Sequence, residues 1–353
     1  MATDLLERAR QEGTPLVEGE QAIFVWEGDG PAPSLIGDWT AWQHGEPATL
    51  ERVSPGAWAT TLTFPRDAYL EYVFWRDGER VADPLNRRTV ANGLGHHNHS
   101  FTMPDARHSP YARRRPGVPQ GTSTRHVLED DFLLAGGKRT VVLYRPTAPG
   151  PYPLLIVLDG QDYRRRGALP AIVDNLAAEG RIRPLAMALV HHAGQARGVE
   201  YAGGDAHLAF LLERVLPLAA GEMDLLDAAA QPGAHGILGA SMGGLMALYA
   251  GLRFPEILGH VLSQSGAFGL YGRNTVVSSL ALYGPVPPLQ IYMDVGAFEP
   301  LLDSNRRLHR RLTLRGYQVR YREYNGGHNY TAWRNDLEHG LEWLFPGTGE
   351  PQG

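Results

Sequence analysis

Cysteine is absent from the 353 residues, which excludes disulfides, thiolate metal sites and a cysteine nucleophile. No stretch approaches the ~18 apolar residues of a membrane-spanning helix. A basic excess is missing too. The formal net charge of -5 gives no electrostatic reason to expect nucleic acid or an anionic membrane as partner. The start, Met1 to Arg8, lacks the basic segment and apolar run of a secretory signal, so the expectation is a soluble, cytoplasmic protein. Hydrophobic residues at 43% and charged residues at 20% are a globular composition, and the length is comfortable for two domains. Internal repeats and low-complexity segments are lacking.

The chain changes character near its first third. Residues 20 to 104 read as short strands with aromatic alternation, clearest at Ala22–Trp26, Trp58–Phe64 and Leu70–Trp75. Asp77-Gly78 after the last of these is a hairpin signal. Evenly spaced strands predict an immunoglobulin-like β-sandwich, followed by a Pro/Arg/Gly-rich linker at Pro110–Gly117 whose arginines read as a solvated stretch. From about residue 124 strands alternate with helices. A hairpin is expected from Arg125–Leu134 and Lys138–Tyr144, then a buried strand at Leu154–Leu158 and helices at Ala168–Glu179 and His207–Ala219. Further strands at Leu185–Val190, Gly236–Leu238, His260–Ser263, Gln290–Val295 and Tyr317–Tyr324 predict a mainly parallel sheet with helices on both faces. The expected domains are therefore 1–120 and 121–353.

Within the second domain Gly239-Ala240-Ser241-Met242-Gly243-Gly244 stands between an apolar strand and a helical run. Strand, G-x-S-x-G, helix is the context of the nucleophile elbow of an α/β-hydrolase. A serine hydroxyl needs a histidine to take its proton, and the histidine needs a carboxylate to fix its tautomer. In that fold both partners follow the serine. Four histidines do: His260, His309, His328 and His339. His328, in Gly326-Gly327-His328-Asn329, lies on a loop directly after the last strand and is taken as the base. Three carboxylates compete around the exit of the Gln290–Val295 strand. Asp294 lies inside it, Asp303 reads as the start or cap of a helix, and Glu299 is preferred. The oxyanion hole requires two backbone N–H groups: one at Met242, the other in Asp159–Tyr163, at Gln161 or its neighbour.

With these residues in hand, the chain resembles the enterochelin (enterobactin) esterases, within the esterase D and feruloyl esterase group. The resemblance rests on Arg139 to Pro146, Val157 to Tyr163, Arg197 with Glu200-Tyr201, and Gly239 to Gly244. It continues through Asp294-Val295-Gly296 with Glu299, and Gly326 to Tyr330 with Trp333-Arg334. In the first domain Ile36-Gly37-Asp38-Trp39 with Trp42, Gly56-Ala57-Trp58, Tyr72-Val73-Phe74 and Asp83 to Asn86 are similar to the family's immunoglobulin-like domain. Asn329 stands where many relatives carry Asp.

The resemblance implies a cytoplasmic serine hydrolase that opens the ester backbone of a ferric catecholate siderophore through an acyl-enzyme. No cofactor is implied, and iron enters only as part of the substrate. It also suggests Arg197 as a substrate contact, with an ion pair to Glu200 as the alternative, and Trp333 as a ring packing on a catechol, with core packing as the alternative. Two rivals remain: a feruloyl or acetyl esterase acting on carbohydrate, and a glucan-binding protein using Trp39 and Trp42 on a non-catalytic scaffold. His96-His97-Asn98-His99 lacks a carboxylate at ligand spacing, so no metal is expected there.

Overall fold

A computed structural model describes residues 2–42, 45–93, 95–269 and 276–347. The chain divides into two compact units. The first holds residues 1–107 together with two short downstream segments, Gly296–Pro300 and Glu323–Ala332. The second holds the rest.

The first unit begins with α1 (Ala2–Glu12), followed by β1 (Leu16–Glu18), β2 (Gln21–Glu27), β3 (Ser34–Gly37), β4 (Glu51–Ser54) and β5 (Ala57–Thr63). Then come β6 (Tyr69–Arg76), β7 (Glu79–Val81), β8 (Thr89–Ala91) and β9 (His97–Thr102). One antiparallel sheet runs β1-β2-β5-β4; the other runs β3-β6-β9-β8, with β7 paired to β6. Their inner faces share one core, in which Phe24 and Trp26 of β2 meet Leu70, Tyr72 and Phe74 of β6 and Phe101 of β9. The alternating aromatics visible in the sequence are this core. Asp77 and Gly78 take φ of 52° and 83°, the left-handed pair that a tight hairpin between β6 and β7 requires.

The second unit carries an eight-stranded mixed sheet ordered β10-β11-β13-β12-β14-β15-β16-β17. Its strands are β10 (Thr122–Glu129), β11 (Lys138–Arg145), β12 (Leu154–Val157), β13 (Ala186–Val190), β14 (His235–Ala240), β15 (Leu258–Gln264), β16 (Gln290–Gly296) and β17 (Gln318–Tyr324). From β13 to β16 the pairing is parallel, and β10 and β11 add antiparallel strands at one edge. Every residue of β12, β13 and β14 is buried, which is why β12 and β13 read as unbroken apolar runs.

The helices are α2 (Gly160–Arg165), α3 (Leu169–Ala178), α4 (Arg197–Tyr201), α5 (Asp205–Phe210), α6 (Leu216–Glu222), α7 (Met242–Arg253), α8 (Val276–Tyr283), α9 (Leu302–Arg315) and α10 (Tyr330–Leu344). No described helix is long and apolar enough to cross a membrane.

One local expectation is corrected and another refined. The hairpin strand predicted to reach Leu134 stops at Glu129, because Asp130 Oδ1 accepts the N–H groups of Phe132 and Leu133 at 3.0 and 2.9 Å and turns the chain out of the ladder. The helix predicted from His207 to Ala219 lies within one helical run through α5 and α6, but its middle, Leu211–Val215, is wound wider, so that the N–H of Leu216 reaches back to the carbonyl of Leu211. Pro217 cannot donate and its ring crowds the preceding turn, which the wider turn relieves.

Candidate active site

Ser241 leaves the end of β14 and precedes the first residue of α7, with φ of 59° and ψ of -121°. For a side-chain-bearing residue this region is sparsely populated and costs about 1–3 kcal/mol. The surroundings enforce it. The Ser241 N–H donates to Gln264 O at 2.9 Å, while its carbonyl accepts from Leu245 N at 3.1 Å and Ala267 N at 3.0 Å. Tight approach of strand and helix also explains Gly239: a Cβ there would lie 2.3 Å from the Gly243 carbonyl oxygen. Met242 is the first residue of α7, so its N–H is among those left without an intrahelical partner at the positive end of the helix dipole.

Gln161 lies in the first turn of α2, and its Oε1 accepts the N–H of His192 at 3.2 Å. The residue that shapes this turn is Asp159. It caps α2 in the left-handed conformation, φ 54°, and is fully covered. Arg197 holds it, and the Arg197 guanidinium also lies 4.9 Å from the ring centroid of Tyr201. The sequence-derived alternative partner for Arg197, Glu200, is engaged elsewhere: it accepts Arg139 Nη2 at 2.6 Å with both side chains buried. Glu200 lies three residues after Arg197, yet its carboxylate meets Arg139 of β11 while Arg197 meets the turn before α2.

Trp333, considered as a catechol contact, is only 4% exposed. Its Nε1 donates to Ser265 Oγ at 2.8 Å and its carbonyl accepts Gln264 Nε2 at 3.1 Å. The ring packs in the interior, as the core-packing alternative has it.

Glu299 and His328 belong to the first unit and meet directly. Glu299 Oε2 takes the Nδ1 side of the imidazole in a short contact, and its Oε1 accepts the Gly296 N–H at 2.6 Å. The Glu299 carboxylate is fully covered while the His328 side chain keeps 28% exposure. An acceptor on Nδ1 sets the tautomer with Nε2 unprotonated, the form that can take a proton. The competing acids are occupied otherwise. Asp294 is buried and accepts Gln264 Nε2 at 2.8 Å, and Asp303 sits in the first turn of α9, where its charge complements the helix dipole.

One polar cluster escaped the sequence. Asp38, buried in the turn after β3, accepts Trp42 Nε1 at 3.1 Å, the Glu71 N–H at 2.8 Å and Asn329 Nδ2 at 3.3 Å. Burial, and then the neighbouring Glu71, push its carboxyl well above the usual range. Glu71 in turn accepts Tyr69 OH at 3.2 Å and Asn98 Nδ2 at 2.7 Å. Trp39 and Trp42, weighed as a sugar-stacking face, are both engaged in this unit: Trp39 packs 5.1 Å from Phe64, and the Trp42 ring lies 5.5 Å under Arg80. Of the histidine cluster, His99 accepts Asp83 N–H at Nε2, 2.8 Å, and contacts Asn86 O through Nδ1 at 3.0 Å.

A sheet with a parallel centre and a positive-φ serine between a central strand and a helix define an α/β-hydrolase-like domain. Residues 134–344 match the family described as "Putative esterase". The chain belongs to that esterase family. It is 28% identical over 404 aligned positions to the iron(III) enterobactin esterase of Dickeya dadantii, covering 96% of this chain and 92% of that one. The crystal structure of ferric enterobactin esterase from Salmonella typhimurium superposes with a TM-score of 0.78 at 24% identity, over 92% of this chain and 93% of its own. A ferulic acid esterase from Anaeromyces mucronatus gives a TM-score of 0.55 at 19% identity, over 67% of this chain and 94% of its own.

Proposed function

We propose that the chain is a serine esterase that hydrolyses the ester backbone of an enterobactin-like catecholate siderophore. The observation that carries the substrate class is the extent of likeness: the Dickeya dadantii relative named for iron(III) enterobactin matches 96% of this chain, whereas the ferulic acid esterase matches 67%.

Ser241 is the nucleophile, His328 the base and Glu299 the acid. They follow β14, β16 and β17 in the order Ser, acid, His. His328 Nε2 takes the Ser241 proton as Oγ attacks an ester carbonyl. The oxyanion is held by the Met242 N–H and by the β12–α2 turn at or next to Gln161. The protonated His328 then gives its proton to the departing seryl oxygen, the C–O bond breaks and an acyl-enzyme forms. Water, deprotonated by His328, releases the dihydroxybenzoylserine unit and regenerates Ser241. Glu299 stays ionised throughout and stabilises the imidazolium. Iron is carried by the substrate.

The two antiparallel sheets with a common core support an immunoglobulin-like sandwich within residues 1–120, with residues 121–353 as the esterase domain and a cytoplasmic setting. A substrate panel of ferric enterobactin, its linear fragments, methyl ferulate and p-nitrophenyl acetate, run on the parent and on Ser241→Ala, tests both levels. Hydrolysis of p-nitrophenyl acetate that survives Ser241→Ala refutes the nucleophile. Preference for methyl ferulate over every catecholate refutes the siderophore assignment.

A further inference from the structure

The loop that carries His328 rests on a buried carboxyl group contributed by a distant part of the first unit. A Cβ at Gly327 would lie 2.0 Å from Asp38 Cγ and 2.1 Å from its Oδ1, so the backbone before His328 lies directly on the carboxyl and only glycine fits. On the other side of His328, Asn329 Nδ2 donates to Asp38 Oδ2 at 3.3 Å, and Asn329 Oδ1 accepts the Ala332 N–H at 2.9 Å.

That second bond fixes the orientation of the amide. A backbone N–H can only donate, so the oxygen of Asn329 faces Ala332 and caps α10, and the nitrogen faces Asp38. The residues on both sides of His328 thus lie against the same carboxyl, Gly327 by close approach and Asn329 by its side-chain amide. Adjacent contacts hold the acid likewise: Phe298 N–H donates to Gly326 O at 3.1 Å, Tyr69 N–H to Asn325 O at 3.0 Å, and the Phe298 ring packs edge-on 6.0 Å from Phe64.

We propose that Asp38 and Asn329 form a positioning pair that sets the His328 imidazole for proton transfer, with the amide of this chain donating to Asp38 where a carboxylate at 329 would face it. The pair rests on the assignment of His328 as the base, and it makes no contact with substrate. The groups facing it are Asp38 from the turn after β3, Glu71 and Tyr69 from β6, and Glu299 after β16. Arg80 of β7 bonds Asn98. An aspartate at 329 would keep the cap on Ala332 and replace one donor by an added acid among acids, and its proton affinity would rise accordingly. Protonated, the introduced carboxyl would again present one donor and one acceptor, as the amide does.

The test uses the full chain with p-nitrophenyl acetate as probe, comparing the parent, Asn329→Asp, Asp38→Asn and His328→Ala, each checked for a cooperative unfolding transition. At pH 8, Asn329→Asp is expected to lower kcat about tenfold or more with KM little changed, since sub-ångström misplacement of a base acts on the chemical step. Relative to the parent, that deficit should shrink as the pH falls to 6. Asp38→Asn, which forces an N–H toward donors that the carboxylate accepted, is expected to lower kcat in the same way.

A folded Asn329→Asp whose deficit is absent, or equal at both pH values, overturns the pair. If that variant does not fold, a folded Asp38→Asn with parental kcat overturns it, and one with lowered kcat and parental KM supports it. His328→Ala separates the two levels. Retained activity there removes the base assignment itself, whereas loss there with parental kcat in both pair variants removes only the positioning.

Discussion

Arg197 closes a bidentate fork on Asp159, Nε to Oδ1 at 2.7 Å and Nη2 to Oδ2 at 2.6 Å, and the same Nη2 reaches the Ala240 carbonyl at 3.3 Å. One guanidinium therefore ties the turn before α2 to the residue preceding Ser241. The planar fork matches a carboxylate in a way that lysine cannot.

If Arg197 works through Asp159, Arg197→Lys and Asp159→Asn should lower kcat by similar factors, about tenfold each, and the double variant should lose little more, as expected for groups acting as a unit. Steady-state kinetics on the four proteins of the cycle measure this. A large rise in KM for a ferric catecholate in Arg197→Lys alone would restore the direct substrate contact.

Glu299→Gln offers the imidazole an amide where a carboxylate stood. The hydrogen bond to Gly296 can persist, but the tautomer is no longer enforced and the imidazolium loses its counter-charge. We expect kcat to fall about 10³-fold or more with KM within a few-fold. Single-turnover acylation is the measurement, and a fall below tenfold would return the acid role to Asp294 or Asp303.

His207 is buried between the rings of Tyr201 and Phe210, and burial, with Arg139 nearby, drives its pKa down to about 3. The unfolded chain binds a proton at this residue below its ordinary pKa of about 6.5, and the folded chain does not. Stability from this group is therefore present above about pH 6.5 and drains as pH falls toward 3, with a limiting slope of about 1.4 kcal/mol per pH unit. Urea midpoints of the parent and His207→Gln between pH 7 and pH 4 should converge toward acid. Parallel curves would mean that His207 ionises inside the fold.

What could be read from the sequence was what depends on local pattern. Strand exits and chain order singled out Ser241, Glu299 and His328 as candidates, and Glu299 and His328 do meet. Pairings across long loops were not readable. Arg197 suggested Glu200, three residues on, yet its partner is Asp159, 38 residues away, while Glu200 pairs with Arg139 at a separation of 61. The resemblance offered Trp333 as a catechol contact with core packing as the alternative, and within α10 it is buried. Asp38 was visible in the Gly-Asp-Trp run. Nothing local to it announced Asn329, 291 residues downstream.

Biosynthesis must reckon with a first unit composed of residues 1–107 and two segments beginning at Gly296 and Glu323. At about 5–20 residues per second, the ribosome needs roughly 10–40 s to travel from the end of the first stretch to the start of the second. Through that interval the β-rich unit waits with a place left open, and Phe298 and the Gly327 loop arrive late to fill it. A chain released at residue 290 should accordingly be cut by protease within residues 1–107 faster than the finished protein. Equal resistance would mean that the unit closes without its late segments. Glu299 and His328 then become available together, only after the strand and helix that flank Ser241 have been made.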